Sequence, residues 1–157
     1  MRREVDRQLG AVLEKYNIRD SKRFFSEINR KAQEGLEVIT YDSKPSQGEV
    51  SHIGTEVLDK VFRAFKFVPE WTLDEDLSVW TVSLPEVALY GEGTDKKQAA
   101  EDLIDNVLEY VEIYYEDLRW FLSREETLPH LPYLRQVARC EGDRAKIATV
   151  LGVADAT

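Results

Sequence analysis

Residues 78–117 read SVWTVSLPEVALYGEGTDKKQAAEDLIDNVLEYVEIYYED, and the order of features in this stretch sets the fold class. Over 77–84, Trp80, Val82 and Leu84 share one face of a strand while Val79, Thr81 and Ser83 share the other. Both faces are partly apolar, which predicts a strand central in its sheet and covered on one side. Pro85 ends it, 87–90 form a short further strand, and Gly91 and Gly93 supply a turn. Thr94 or Asp95 then N-caps a long helix. Along that helix Leu103, Ile104, Val107, Leu108, Val111, Tyr114, Tyr115 and Leu118 recur at three- and four-residue steps, forming a packing stripe.

Towards the N-terminus, 67–73 is a strand joined to 77–84 by the acidic turn Asp74-Glu75-Asp76. Thr55 caps a helix over 56–65 that buries Val57, Leu58, Val61, Phe62 and Phe65. The stretch 42–54, DSKPSQGEVSHIG, reads as a loop and module boundary, with EVSHI as a short strand inside it. LEVITY at 36–41 is a β-branched strand. Gly35 closes a helix over 22–33, capped by Asp20 or Ser21, with Phe24, Phe25, Ile28 and Ala32 on its apolar side. Residues 3–16 read as one more helix, with Val5, Leu9, Val12, Leu13 and Tyr16 on one face. Beyond 117, Pro129 and Pro132 break the chain, shorter helices follow at 131–139 and 143–151 around Gly142, and the last five residues fray. The sum is an α+β fold. A small helix–strand module occupies 1–48; over 49–157 an antiparallel β-hairpin and sheet pack on a long amphipathic helix with a helical C-terminal tail.

The 157 residues are 43% hydrophobic and 32% charged, the balance of a globular chain with a core. A net charge of -9 argues against a surface given over to nucleic acid and favours a basic protein partner. The charge is segregated: residues 1–31 net about +4 and residues 70–117 about -12. One cysteine, Cys140, cannot form an internal disulfide, which fits a cytoplasmic protein. The charged opening MRREVDRQLG is unlike a signal peptide, and no run approaches the roughly 20 apolar residues of a membrane span.

Catalytic equipment is sparse. His52 and His130 have no partner at metal-ligand spacing and read as solvated loop residues. Cys140 falls on an apolar helix face near Val137 and reads as a buried, inert thiol. Gly91-Glu92-Gly93 lacks the spacing of a phosphate loop, and Glu92 and Asp95 repel phosphate. The chain therefore reads as no enzyme, with no cofactor and no metal. Two charged sets remain. Glu101, Asp105, Glu109, Glu112 and Glu116 line the long helix at near-i,i+4 steps, either as a solvated face or as a surface kept acidic for a basic partner. Arg19, Lys22, Arg23, Arg30 and Lys31, with Lys44 nearby, either face solvent or contact phosphates, an effect a homodimer would double.

The stretch 17–40, NIRDSKRFFSEINRKAQEGLEVIT, resembles the N-terminal module of prevent-host-death (Phd/YefM-like) antitoxins. Ser21, Arg23, Phe25-Ser26, Ile28, Ala32, Gly35 and Val38-Ile39-Thr40 carry the likeness. Residues 66–117 are similar to HicB-like antitoxin domains through Leu84-Pro85-Glu86, Gly91 to Gly93, Thr94 and Ala99-Ala100. The combined layout also resembles RelB-like antitoxins. Residues 43–45, Ser-Lys-Pro, depart from the usual Arg-Arg-Gly-x-Pro turn, which bears on the dimer sheet of the first module. The resemblance implies a non-enzymatic antitoxin of a type II toxin–antitoxin system. Its partner would be a basic, RelE-like or HicA-like ribonuclease toxin. It also implies a dimeric N-terminal module that binds operator DNA and represses its own operon. The toxin contact would draw on the acidic helix and on Trp120, Phe121, Leu128, Leu131, Tyr133 and Leu134, the alternative being that these residues only close the core over the sheet. The competing expectation is a stand-alone dimeric DNA-binding transcriptional regulator.

Overall fold

The computed structural model describes residues 12–157, in two units divided between Val61 and Phe62. In the first unit, strand β1 (Glu14–Asn17) runs parallel to β2 (Val38–Tyr41). A parallel neighbour needs a crossover. Helices α1 (Ile18–Ser21) and α2 (Phe25–Gln33) occupy the intervening chain. Strand β3 (Glu49–His52) pairs antiparallel on the other edge of β2, so β2 is central. Ile28 and Ala32 of α2 are buried, as are Val38, Ile39 and Thr40 of β2. Gly35 takes φ +99°, the conformation a residue with a Cβ resists, and lets Leu36 N–H return to the Lys31 carbonyl at 3.0 Å.

Several expectations for this unit are corrected. The helix read over 3–16 is a strand at its described end: Glu14, Lys15 and Tyr16 pair with Val38, Ile39 and Thr40. The rest of that reading lies outside the described residues. Ladder bonding along β2 outweighs the three-to-four spacing of Val12, Leu13 and Tyr16. Neither Asp20 nor Ser21 caps the next helix. Asn17 caps α1, its Oδ1 accepting from Arg19 N–H at 3.0 Å, and α2 starts at Phe25 with no side-chain cap. The stretch 42–54 is a hairpin connection plus β3 inside the first unit, turned at Gly48 with φ +71°. In helix α3 (Thr55–Phe62) the Gly54 carbonyl accepts from Val57 and Leu58 N–H, so Gly54 rather than Thr55 holds the cap position. A Cβ there would lie 2.5 Å from the Ala32 carbonyl oxygen. Val57, Leu58 and Phe62 are half-buried, while Val61 and Phe65 are exposed.

The second unit, Phe62–Thr157, is built on an antiparallel meander of β4 (Glu70–Asp74), β5 (Val79–Leu84) and β6 (Leu89–Gly93). β5 is central, as its two apolar faces predict, and Val82 and Leu84 are fully buried. The turn before it is set by Asp74, whose Oδ1 accepts from Asp76 and Leu77 N–H, both at 3.0 Å. Helix α4 (Lys96–Glu116) lies across the sheet with Ala99, Ala100, Leu103, Ile104, Val107 and Tyr114 buried. Leu108, Val111 and Leu118 are partly buried against the same core, and Tyr115 is exposed, off the stripe. Asp95 is the N-cap, accepting from Gln98 N–H at 2.8 Å, while Gln98 Oε1 accepts from the Thr94 N–H and hydroxyl.

Gly91 and Gly93 form no turn. They lie inside β6, pressed against α4: a Cβ on Gly91 would lie 2.3 Å from Leu103 N and 2.4 Å from Ala99 O. Helices α5 (Leu118–Leu122), α6 (Leu131–Ala138) and α7 (Arg144–Leu151) close the core with Phe121, Leu134, Val137, Ile147 and Leu151. Pro132 sits in the first turn of α6, where its missing N–H costs nothing. The C-terminal residues do not fray as expected: Val153 is buried and Ala154–Ala156 form a 3-10 turn. No helix among the described residues is long and apolar enough to cross a membrane.

Candidate partner-binding surfaces

The second unit carries all of the net charge. From Phe62 onward there are 19 acids against 10 bases, a difference equal to the -9 of the whole chain. Helix α4 presents much of it. Glu101, Asp105, Glu109, Glu112 and Glu116 are all exposed, on the side away from the buried stripe. Asp105 pairs with the Arg144 guanidinium at 2.7 Å. Of the apolar residues expected beside them, Trp120 and Leu128 are about half exposed, and Leu131 and Tyr133 are partly buried. Phe121 and Leu134 are core residues: Phe121 stacks on Tyr114 at 4.7 Å between ring centroids, and Leu134 is fully buried. They support a surface and cannot themselves form one.

Along α4 from Asp102 to Ile113, the helix and the edge strand β6 bound an open cleft of about 560 Å³. Glu92, Asp102 and Glu109 line it, with Tyr90, Tyr110 and Ile113. Asp102 Oδ2 accepts from Glu92 N–H at 2.9 Å, and Asn106 Nδ2 donates to the Tyr90 carbonyl at 2.8 Å. Of these residues the sequence pattern singled out Glu109 for partner contact. Tyr90, Glu92, Asp102 and Asn106 were hidden because a register is needed to see that β6 is an edge.

In the first unit the basic residues divide. Lys31 is largely buried, bonded to Glu14, to Glu27 at 2.8 Å and to the Tyr16 hydroxyl at 3.1 Å. Burial disfavours its charge, but the bonds to Glu14, Glu27 and Tyr16 outweigh that and hold it above the usual lysine range. Arg30 pairs with Glu34 at 2.7 Å. Arg19, Lys22, Arg23 and Lys44 are exposed, the first three following one another along α1 and the turn after it.

Neither histidine is a free loop residue. His52 lies on β3 with Nε2 3.0 Å from the Thr40 hydroxyl. His130 Nδ1 is 2.8 Å from the Tyr110 hydroxyl, and burial lowers its pKa. Burial likewise pushes the Cys140 thiol up, beside a weak bond to the Gln136 carbonyl. Among the described residues no group of three or more His, Cys, Asp and Glu is placed to hold a metal ion.

A family model for the PHD-like antitoxins of RelE/RelB toxin–antitoxin systems matches residues 12–152. The chain belongs to this antitoxin family. No curated protein matches it. A 1.80 Å crystal structure of the antitoxin part of a proposed toxin/antitoxin system, from Syntrophomonas wolfei subsp. wolfei, is similar with a TM-score of 0.68 at 15% sequence identity. The match covers 85% of this antitoxin and 94% of that chain, a likeness of fold. Membership assigns the antitoxin a cognate toxin partner and a regulatory rather than catalytic class.

Proposed function

We propose that this antitoxin neutralises a cationic ribonuclease toxin of the RelE-like or HicA-like kind by direct binding through its second unit. The observation that carries the reading is the confinement of the net charge to that unit, with Glu101, Glu109, Glu112 and Glu116 exposed along one helix. A protein that binds RNA is positively charged where it does so, and an acidic counter-surface both steers its approach and suppresses other partners. Trp120 and Leu128, about half exposed beyond the end of α4, supply apolar contact area of the sort that anchors such interfaces. Binding takes place in the cytoplasm, where Cys140 stays reduced. The test is co-expression with the product of the adjacent reading frame. Growth is rescued by the wild-type chain and the two proteins co-purify. A wild-type chain that neither rescues growth nor co-purifies refutes the reading.

Autorepression is the finer proposal for the first unit, acting as a homodimer. Exposed Arg19, Lys22, Arg23 and Lys44 are the phosphate-contact candidates; Arg30 and Lys31 are engaged by acids of their own unit. A shift of the upstream DNA that weakens steeply with salt supports it. If that shift occurs in full strength without any partner, and no toxin is bound, the chain is a stand-alone regulator instead.

A further inference from the structure

The cleft between β6 and α4 is a built feature rather than a gap. Gly91 and Gly93 bring the helix so close that no side chain fits between helix and strand. At the strand edge, Asn106 and Asp102 then occupy the outward Tyr90 carbonyl and Glu92 N–H. An incoming strand would have to break both bonds, so this edge is closed to simple strand addition. What stays open is the cleft beside it. Tyr90 is 57% exposed and Ile113 46%, so its rim is apolar, and three carboxylates with no lysine or arginine line it. Apolar surface beside exposed carboxylates matches a long cationic side chain, whose methylene stem packs while its head is paired.

We infer that this cleft receives arginine or lysine side chains from a segment of the cognate toxin, their charged heads held by Glu92, Asp102 and Glu109 and their stems lying on Tyr110 and Ile113. The inference rests on the antitoxin reading above. It adds a specific seat, sharing only Glu109 with the outward carboxylates of α4, and a mode of entry by side chain rather than by added strand.

The experiment is a ¹⁵N-HSQC titration of the full chain with the purified product of the adjacent reading frame, alongside affinity measurements on variants. Support consists of shifts concentrated at Tyr90, Glu92, Asn106, Glu109 and Ile113. It also requires that Glu92→Lys/Glu109→Lys weakens binding by about tenfold or more while Glu75→Lys/Glu125→Lys, with the same change in net charge, stays within about threefold. Unchanged affinity in the cleft variant, or equal loss in both variants, overturns the inference while leaving the antitoxin reading intact. Should the wild-type chain not bind that product, the antitoxin reading fails first. An arginine-rich peptide then replaces it as probe, and shifts outside the cleft, or none, overturn the inference as well. Tyr90→Ala/Ile113→Ala serves as a second, charge-neutral variant, checked for an unchanged fold by its own spectrum. Loss of affinity there supports the inference and retention overturns it.

Discussion

At the scale of single residues, two small environments carry most of the testable physics. Gly91 faces the backbone of α4 at distances no Cβ tolerates, so Gly91→Ala forces β6 and the helix apart. Overpacking of this kind costs about 1–3 kcal/mol or more, which lowers the melting temperature of a unit this size by several degrees for each kcal/mol. A thermal melt of the variant checks it. His130 makes the second test. Burial lowers its pKa, so the unfolded chain binds its proton more readily than the folded one. The stability it contributes is complete above the ordinary histidine range and is lost as pH falls through that range. From about pH 7 to about pH 5, wild type therefore loses more stability than His130→Asn, and the difference between the two denaturation series isolates this group from the carboxylates. Lys31 has the opposite sign. Its raised pKa means its contribution is full below the usual lysine range and fades only as pH climbs above it.

Among the elements, α4 shows how unevenly the sequence speaks. Its existence, its cap and its buried stripe were legible because caps and three-to-four periodicity are local signals. The role of Gly91 and Gly93 was not. Two glycines near a helix start look like a turn, and only the pairing of Gly91 with Val82 and Gly93 with Trp80 shows them to be a place of close approach. Strand β1 was missed for a similar reason: Glu14 to Asn17 become a strand through a partner 24 residues away. Of the partner-binding candidates, the α4 carboxylates were legible as an exposed acidic row, whereas the burial of Phe121 and Leu134 depended on how α5 and α6 fold back over the core. The cap itself gives a prediction. Asp95→Ala removes the bond to Gln98 N–H and should cost about 1 kcal/mol, read as a lower denaturation midpoint of the second unit.

Across the whole molecule, the two units differ in what holds them together. The described core of the first is five residues of α2 and β2, while that of the second spans a sheet and several helices. Marginal burial predicts that the first unit unfolds at lower denaturant. Trp71, Trp80 and Trp120 all lie in the second unit. Tryptophan fluorescence therefore reports that unit alone, whereas circular dichroism reports both. The two curves should not coincide, the dichroism falling first; coincident curves would mean one cooperative block. The segregation of charge agrees with this division. The first unit carries equal numbers of acids and bases, so high salt should leave it nearly unaffected while relieving repulsion among the carboxylates of the second.

The bonds from Asn106 and Asp102 to the edge of β6 have a consequence for the chain when it is alone. A bare strand edge is a template on which identical copies can stack into a fibril. Here two helix side chains act as a latch across that template, and they do so whether or not a toxin is present. Removing the latch with Asn106→Ala/Asp102→Ala should shorten the lag before thioflavin-positive aggregates form in concentrated solution. Seen this way, α4 is also a chaperone built into its own client.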